Sequence, residues 1–512
     1  MRSGGVLNLL GKLLLVLSLF LLTPIPFSFY YDDQMATAFL LSSLVGGVCG
    51  GALVFLFLPE KELGYKDGFA IVVLSWVGLA FLGALPYLFS GKMPSFVDCY
   101  FESMSGFTTT GSTILSTIEI LPHSVLFWRA LTHWIGGMGI IVLTLAILPL
   151  LGIGGMQLFQ AEMPGPTKDR LAPRIQDTAR ILWSVYVLLT VAEIVLLMLG
   201  GVDFFDAMCH SFATLATGGF SNHSLSVAYY DSAYVEGVII LFMFLAGVNF
   251  SLHFHFLRGR LNAFWQNEEF RLYLGLIVAS TIFIMAANFF SGTITSMSRN
   301  LRDVLFQVVS VITTTGFGTA DFDLWPPVCK VMLVALMFVG GCAGSTGGGI
   351  KVVRLLLFFK YAHLQLHRLV HPRQVGAIKF GTTKVPQEVL IGILGFLALY
   401  IAFFLFASIV VTATGVDIVT GTTAVVATLN NIGPGLHLVG PTQNFGHLPA
   451  LAKIVLIFCM LAGRLELYTV AVLLTPGFWK MARPPKFRHH LFQNKRLNDI
   501  NKALAKVSKS TS

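Results

Sequence analysis

The chain has 512 residues, of which 55% are hydrophobic and 12% charged, with a formal net charge of +9. Soluble domains carry roughly 25% charged residues, so this composition excludes a soluble enzyme and points to a polytopic membrane protein. The basic residues lie between or just after apolar segments, which argues against a nucleic-acid partner, and the six scattered cysteines form no metal-ligand spacing.

Crossing a bilayer takes roughly twenty apolar residues, and ten segments qualify, at about 6–28, 36–58, 69–90, 124–150, 181–200, 235–257, 272–291, 328–360, 388–412 and 451–475. The first follows Arg2, lacks an A-x-A-like cleavage site and ends at Pro24 and Pro26, which favours an uncleaved membrane helix over a signal peptide. Lys168, Arg170, Arg174 and Arg180 follow the fourth segment, and Arg258, Arg260 and Arg271 follow the sixth. Lys351, Arg354, Lys360, Arg368, Arg373, Lys379 and Lys384 precede the ninth, and the tail after Lys480 is basic. These connections are expected on the cytoplasmic side, together with both termini. The alternate connections 201–234 and 413–450 carry no Lys or Arg, and 91–123 and 292–327 carry only Lys92, Arg299 and Arg302.

Each of those four alternate connections holds a glycine run: FTTTGSTI from Phe107, LATGGFSN from Leu215, ITTTGFGT from Ile312 and LNNIGPGL from Leu429. Aligning them puts Gly111, Gly219, Gly316 and Gly433 in register, at intervals of 108, 97 and 117 residues (219 − 111, 316 − 219, 433 − 316). Such recurrence is an internal repeat. The expected fold is an all-α polytopic membrane protein with four helix/pore-loop/helix repeats in a pseudo-fourfold arrangement around one pore, after two extra transmembrane helices. The expected division is a preface over 1–66, repeats over 67–155, 156–262, 263–384 and 385–480, and a basic tail over 481–512.

Before each glycine run a short apolar stretch opens on an acidic residue: Asp98, Asp203 with Asp206, Asp303 and Asp417. Acidic residues suit a helix N-terminus, so the negative C-terminal ends would face the loops and favour a cation. A dehydrated monovalent cation needs oxygens at close range, and backbone carbonyls supply them. Aiming successive carbonyls inward takes dihedrals that a Cβ resists, hence glycine. Thr108, Thr109, Thr110, Thr313, Thr314 and Thr315 add hydroxyls.

The chain resembles the TrkH-type potassium uptake proteins and their wider superfamily over nearly its whole length. The most specific motifs are SMSGFTTTGST at Ser103–Thr113, LTHWIGGMGI at Leu131–Ile140, AEMPGPTKDRL at Ala161–Leu171 and GGCAGSTGGGIKVVR at Gly340–Arg354. The resemblance implies a potassium filter at Thr109, Thr110, Gly111, Thr217, Gly218, Gly219, Thr314, Thr315, Gly316, Asn431, Ile432 and Gly433. In related transporters a serine at the first filter glycine accompanies sodium preference, so Gly111 implies potassium. The fourth run departs most, with Asn430, Asn431 and Pro434, so fourfold symmetry is approximate. AEMPGPTKDRL is expected to contact another protomer or a regulatory subunit.

The eighth segment contains six glycines in ten residues, Gly340–Gly349, and each interior helical glycine costs about 1 kcal/mol relative to alanine. It should break there, as a hinge or a packing site. The resemblance implies that Gly344, Ser345, Thr346, Gly347, Gly348 and Gly349 form a loop obstructing the pore beneath the filter. Arg464, expected near the middle of the tenth segment, costs about 2.5–3.5 kcal/mol at a helix centre and needs a wet cavity or a partner. That partner is Glu466 or loop carbonyls, whereas the resemblance puts the arginine in the permeation path. His133 and Trp134 read as packing residues, and His253 and His255, at a cytoplasmic helix end, as headgroup or subunit contacts and not a metal site.

No HExxH, GxSxG or suitably spaced carboxylate pair appears, so an enzyme is not expected. The expected function is potassium uptake across a bacterial inner membrane, with potassium as transported substrate and no cofactor. The alternative is a symporter coupled to sodium or protons, for which Glu193 and Glu466 are the intramembrane carboxylates. The resemblance further implies a homodimer and a cytosolic TrkA-like nucleotide-binding subunit, since the chain lacks its own dinucleotide fingerprint. Membrane lipid is the remaining expected contact.

Overall fold

A computed structural model describes residues 3–59, 64–93, 95–147, 175–292, 296–372 and 376–479. Two leading spans come first. Helix α1 (Ser3–Phe20) stops before the Pro24/Pro26 pair, resumes as α2 (Ile25–Tyr30) and returns as α3 (Ala36–Leu56). A Cβ on Gly11 or Gly50 would lie 2.8 Å from the other residue's carbonyl oxygen, so α1 and α3 meet backbone to backbone, as small residues allow in lipid.

Four units follow, each a long helix, a short helix and a second helix. The first is α4 (Tyr65–Ser90), α5 (Phe96–Phe107) and α6 (His123–Ile147), and the second is α7 (Ile175–Leu199), α8 (Phe204–Leu215) and α9 (Ala233–Ala246) with α10 (Phe250–Leu257). The third is α11 (Glu268–Phe290), α12 (Met297–Ile312) and α13 (Pro327–Met337) with α14 (Val352–Val370). The fourth is α15 (Gln387–Ala413), α16 (Ile418–Leu429) and α17 (Ala450–Arg464) with α18 (Leu467–Leu474). Strand is confined, among the described residues, to a two-residue hairpin pairing Lys379–Phe380 with Thr383–Lys384.

Among the described residues, six helical spans are long and apolar enough to cross a membrane, and two bent helix pairs qualify as broken spans. Leu44 and Val48 of α3, Ile282 and Phe283 of α11, and Phe406 and Ile409 of α15 are exposed. That apolar exterior is what a lipid solvent requires. At 12 residues, α5, α8 and α16 are about 18 Å long and cannot span a core of about 30 Å. Asp203 caps α8 by accepting from Phe205 and Asp206 N–H groups at 3.0 and 3.3 Å, and Asp417 caps α16 by accepting from Thr420 N–H at 3.0 Å. Ser95 caps α5 with Asp98 in its first turn. Asp303 differs from expectation: α12 starts earlier, at Met297 after Ser296, so Asp303 sits in the second turn beside Arg299 at 3.6 Å.

Hydropathy reads straight across two breaks that the structure contains. The sixth segment bends by 102° between α9 and α10, and the tenth by 117° between α17 and α18. At the first, Asn249 starts a new helix by accepting from Ser251 N–H at 2.8 Å. The carbonyl this frees on Gly247 is taken by Cys342 N–H at 2.9 Å, while Phe250 N–H reaches Gly344 O at 3.1 Å. The bend is thus filled by the glycine segment of the third unit, as non-helical backbone at membrane depth must be. At the second, Glu466 adopts φ 64°. Arg464 therefore ends a helix at a corner, and does not sit at a helix centre.

Candidate ion pathway

All four short helices end in the same way. Thr109, Thr217, Thr314 and Asn431 have φ of 50°, 53°, 59° and 54°. Their N–H groups bond back to Gly106, Thr214, Val311 and Thr428 carbonyls at 2.9–3.3 Å. The next N–H groups, on Thr110, Gly218, Thr315 and Ile432, reach Ser105, Ala213, Ser310 and Ala427 carbonyls at 2.8–2.9 Å. These are paired 5→2 and 6→1 bonds of a Schellman cap, a motif that normally places glycine at the left-handed residue. Threonine there is strained by about 1–3 kcal/mol, and such strain persists only where the surrounding structure holds it.

Two residues on, Gly111, Gly219, Gly316 and Gly433 also have positive φ, of 81°, 75°, 85° and 109°. Alternating hand along each loop turns successive carbonyls to one side, as a carbonyl-lined ion site requires. The loops also touch in cyclic order. A Cβ on Gly111 would collide with Gly218 O, one on Gly219 with Thr315 O, and one on Gly316 with Ile432 O. A Cβ on Gly433 would lie 3.0 Å from Thr110 O, which closes the circle. Four loops in contact first to second, second to third, third to fourth and fourth to first surround one axis. At every junction a glycine faces the carbonyl that precedes the next loop's glycine.

The hydroxyls are used unequally. Thr108 and Thr110 share a 2.7 Å bond and Thr313 and Thr315 a 2.8 Å bond, which hold those side chains behind the loops. Thr109 Oγ1 and Asn431 Oδ1, at the equivalent strained positions, are buried with no hydrogen-bond partner. Oxygens left without donors, at the end of a ring of carbonyls and the negative ends of four helices, fit a cation. The fourth loop differs as its sequence implies: Asn431 Nδ2 donates across to Thr110 Oγ1 at 2.9 Å and to Met460 O at 3.0 Å.

The segment Gly340–Gly349 interrupts the third unit and lies against the helix-side end of the loops. Thr346 Oγ1 donates to Leu215 O, the last residue of α8, at 2.9 Å. Gly348 N–H donates to Thr314 Oγ1 at 2.7 Å, and a Cβ on Gly347 would lie 3.1 Å from Thr313 O. A Cβ on Gly348 would collide with Asn430 O. Arg464 completes this layer: Nη1 donates to Thr346 O at 2.7 Å and Nη2 to Gly136 O of α6 at 3.3 Å. Of the two partners open from sequence, loop carbonyls hold Arg464, while Glu466 pairs with Arg354 at 2.8 Å. Ser345 caps its own segment by donating to Cys342 O at 2.6 Å. Gly344 and Gly349 supply the left-handed turns at φ 74° and 67°. The segment and Arg464 together touch all four units.

His133 stacks on Phe220 with centroids 4.1 Å apart, and His253 bonds Leu245 O at 2.9 Å, so both pack within the bundle. AEMPGPTKDRL and the basic tail lie outside the described residues. Sequence reasoning missed Glu102, Arg129 and Lys453, and read Asp98 only as the acidic residue that opens a short helix. Glu102 and Arg129 are 0% and 1% exposed with Arg129 Nε 2.8 Å from Glu102 Oε1, and Lys453 Nζ lies 2.6 Å from Asp98 Oδ1. The available signal was four ionisable residues inside otherwise apolar or re-entrant segments.

An apolar-walled bundle whose four re-entrant units close a ring of backbone carbonyls defines a multi-pass membrane transport protein. The TrkH family model, described as a cation transport protein, matches residues 36–480. The chain is 44% identical over 485 residues to the Trk system potassium uptake protein TrkH of Escherichia coli (strain K12), covering 94% of this chain and 100% of that one. It is 43% identical over 482 residues to the protein of that name from Halomonas elongata, covering 93% and 99%. The crystal structure of the potassium transporter TrkH from Vibrio parahaemolyticus superposes with a TM-score of 0.87 at 40% identity, covering 94% of this chain and 100% of that one. The chain belongs to the TrkH family of cation transport proteins, a family of transporters and not of enzymes.

Proposed function

We propose that this chain takes up potassium across a bacterial inner membrane through a selectivity filter built from its four glycine loops. The observation that carries the reading is the cyclic contact of Gly111, Gly219, Gly316 and Gly433 with the carbonyls of Gly218, Thr315, Ile432 and Thr110. Potassium would shed water against those carbonyls and the Thr109, Thr217, Thr314 and Asn431 level, aided by four helix C-termini. The names of the relatives, as potassium uptake proteins, agree with this substrate.

In this reading Gly344–Gly349 and Arg464 form the gate. A guanidinium bonded to Thr346 O and Gly136 O puts a positive charge below the ring and holds the segment against it. Opening requires those bonds to break and the segment to withdraw. The charge alternation of the connections supports cytoplasmic termini and repeats divided near residues 66, 155, 262, 384 and 480. A homodimer regulated by a cytosolic TrkA-like nucleotide-binding subunit fits the relatives' description as parts of a Trk system. The chain itself needs no cofactor for this function.

Potassium-dependent growth tests the reading: expression in a bacterium lacking potassium uptake should restore growth at low potassium, and failure despite membrane insertion overturns it. Coupling to protons or sodium is a second reading, favoured by Glu193, which is fully buried with both carboxyl oxygens lacking a hydrogen-bond partner. Current reversal that follows potassium alone argues against it.

A further inference from the structure

Behind each glycine loop, a side chain from the short helix ties down the limb that follows the glycine. Nine residues before the glycines Gly111, Gly219 and Gly316 stand Glu102, His210 and Gln307 (111 − 102, 219 − 210, 316 − 307). Glu102 Oε2 accepts from Ile114 N–H at 3.1 Å, and both its oxygens accept from Thr113 Oγ1 at 3.0 and 3.1 Å. His210 Nε2 bonds Ser221 Oγ at 3.0 Å. Gln307, in the amide orientation that satisfies both donors, accepts from Thr319 and Ala320 N–H groups at 2.8 and 3.2 Å. In the fourth unit that place is Ala424, and the adjacent Thr423 Oγ1 accepts from Leu436 N–H at 3.0 Å.

Neutral groups suffice to hold the third and fourth limbs. The first instead uses a carboxylate that is 0% exposed, paired with a guanidinium that is 1% exposed. Burying two charges is expensive, and apolar residues of similar volume are often as stable, so fold stability does not explain the pair. Its reach does. Arg129 bonds Glu102 Oε1 at 2.8 Å, donates to Ser221 O in the second limb at 3.1 Å and lies 3.9 Å over the ring of Phe220, the residue after Gly219. One guanidinium thus grips the limbs of two adjacent loops, and Glu102 anchors it to the first. A planar guanidinium, with Nε on Glu102 Oε1 and Nη1 on Ser221 O, makes this a fixed spacer and not a flexible tether.

We propose that Glu102 and Arg129 are a positioning pair that fixes the limbs after Gly111 and Gly219 against each other and thereby sets how strictly the ring discriminates among monovalent cations. The proposal rests on the ion-site reading above. Shifting or loosening the carbonyls alters how well they replace the hydration shell of potassium relative to sodium, whereas a merely structural pair would change the amount of active protein and leave the ratio alone.

The test compares potassium, rubidium and sodium flux into liposomes holding purified full-length protein. Variants are Glu102→Gln, Glu102→Asp, the double Glu102→Gln/Arg129→Met, and Gly111→Ala as a control on the ring itself. The double variant removes both charges together and so avoids stranding one of them. Glu102→Asp keeps the charge and shortens its reach. The expected result is a potassium-to-sodium ratio lower by roughly tenfold in the double variant, equal to about 1.4 kcal/mol of altered discrimination, and a smaller fall with Glu102→Asp. A ratio unchanged in both, with all fluxes reduced in proportion, overturns the proposal. If Gly111→Ala shifts the ratio while the pair variants do not, the proposal fails and the ion-site reading stands. If none shifts it, the reading itself fails and the proposal falls with it.

Discussion

Arg464 Nη1 lies 2.7 Å from the carbonyl oxygen of Thr346, so the last residue of α17 is bonded to the middle of the glycine segment from another unit. If this contact latches a gate, Arg464→Ala should raise uptake severalfold at equal membrane expression. Arg464→Lys, a point charge with no planar fork, should fall between. Initial rates of potassium uptake in membrane vesicles measure this, and unchanged or lower flux in well-folded Arg464→Ala protein argues for a structural role instead.

Gly111 is one of four positions where an added side chain reaches another loop's carbonyl. At φ 81° and against Gly218 O, a serine must displace backbone in both the first and second loops. Gly111→Ser should admit more sodium, with the potassium-to-sodium flux ratio falling by about tenfold, or about 1.4 kcal/mol. An unchanged ratio counts against this glycine as part of the ion site.

Lys453 and Asp98 join α17 to α5, at 2.6 Å and with side-chain exposures of 8% and 7%. Lys453 also donates to Gly446 O at 2.8 Å. Lys453→Met leaves the Asp98 carboxylate buried without its cation, a loss of about 3–5 kcal/mol, which the paired change Lys453→Met with Asp98→Asn should largely recover. Melting curves of the purified variants decide it, and equal loss in the single and double variants contradicts the pairing.

Asp206 lies at the N-terminal end of α8, outside any spanning helix. It accepts from Asn222 at 2.8 Å, His223 at 2.7 Å and Tyr230 at 2.9 Å. Burial opposes its charge, but hydrogen bonds from His223 and Asn222 prevail and hold its pKa well below the ordinary 3.8. A carboxyl lowered in this way contributes stability at every pH above its unfolded value, and loses it as pH falls through the folded one. Asp206→Asn should therefore cost about 1.5–3 kcal/mol at neutral pH, with the gap to the parent narrowing only below pH 3.8. Thermal melting across pH measures it; a gap that closes near neutrality contradicts the assignment.

The repeat was legible because glycine register and the alternation of basic connections are separate signals that agree. The site was partly legible for the same reason: Gly111, Gly219, Gly316 and Gly433 do occupy equivalent places. Hydropathy averages over windows, so it could not register the corner at Gly247–Asn249 or the one after Arg464, where both flanks are equally apolar. Nor did pattern reasoning find the left-handed Thr109, Thr217 and Thr314, because β-branched residues disfavour the conformation that the Schellman caps of the short helices impose there. Glu102 and Arg129 stand 27 residues apart (129 − 102), and Ser221 lies in another unit. Their meeting depends on tertiary packing that no local pattern encodes.

In the reading proposed above, the four loops bind a potassium-like cation on their common axis. Anomalous diffraction from the protein crystallised in a rubidium or thallium salt tests this. Density ringed by the carbonyls of Thr110, Gly218, Thr315 and Ile432 is the predicted result. A ring without anomalous density, in crystals that bind the heavy cation elsewhere in the molecule, would contradict it.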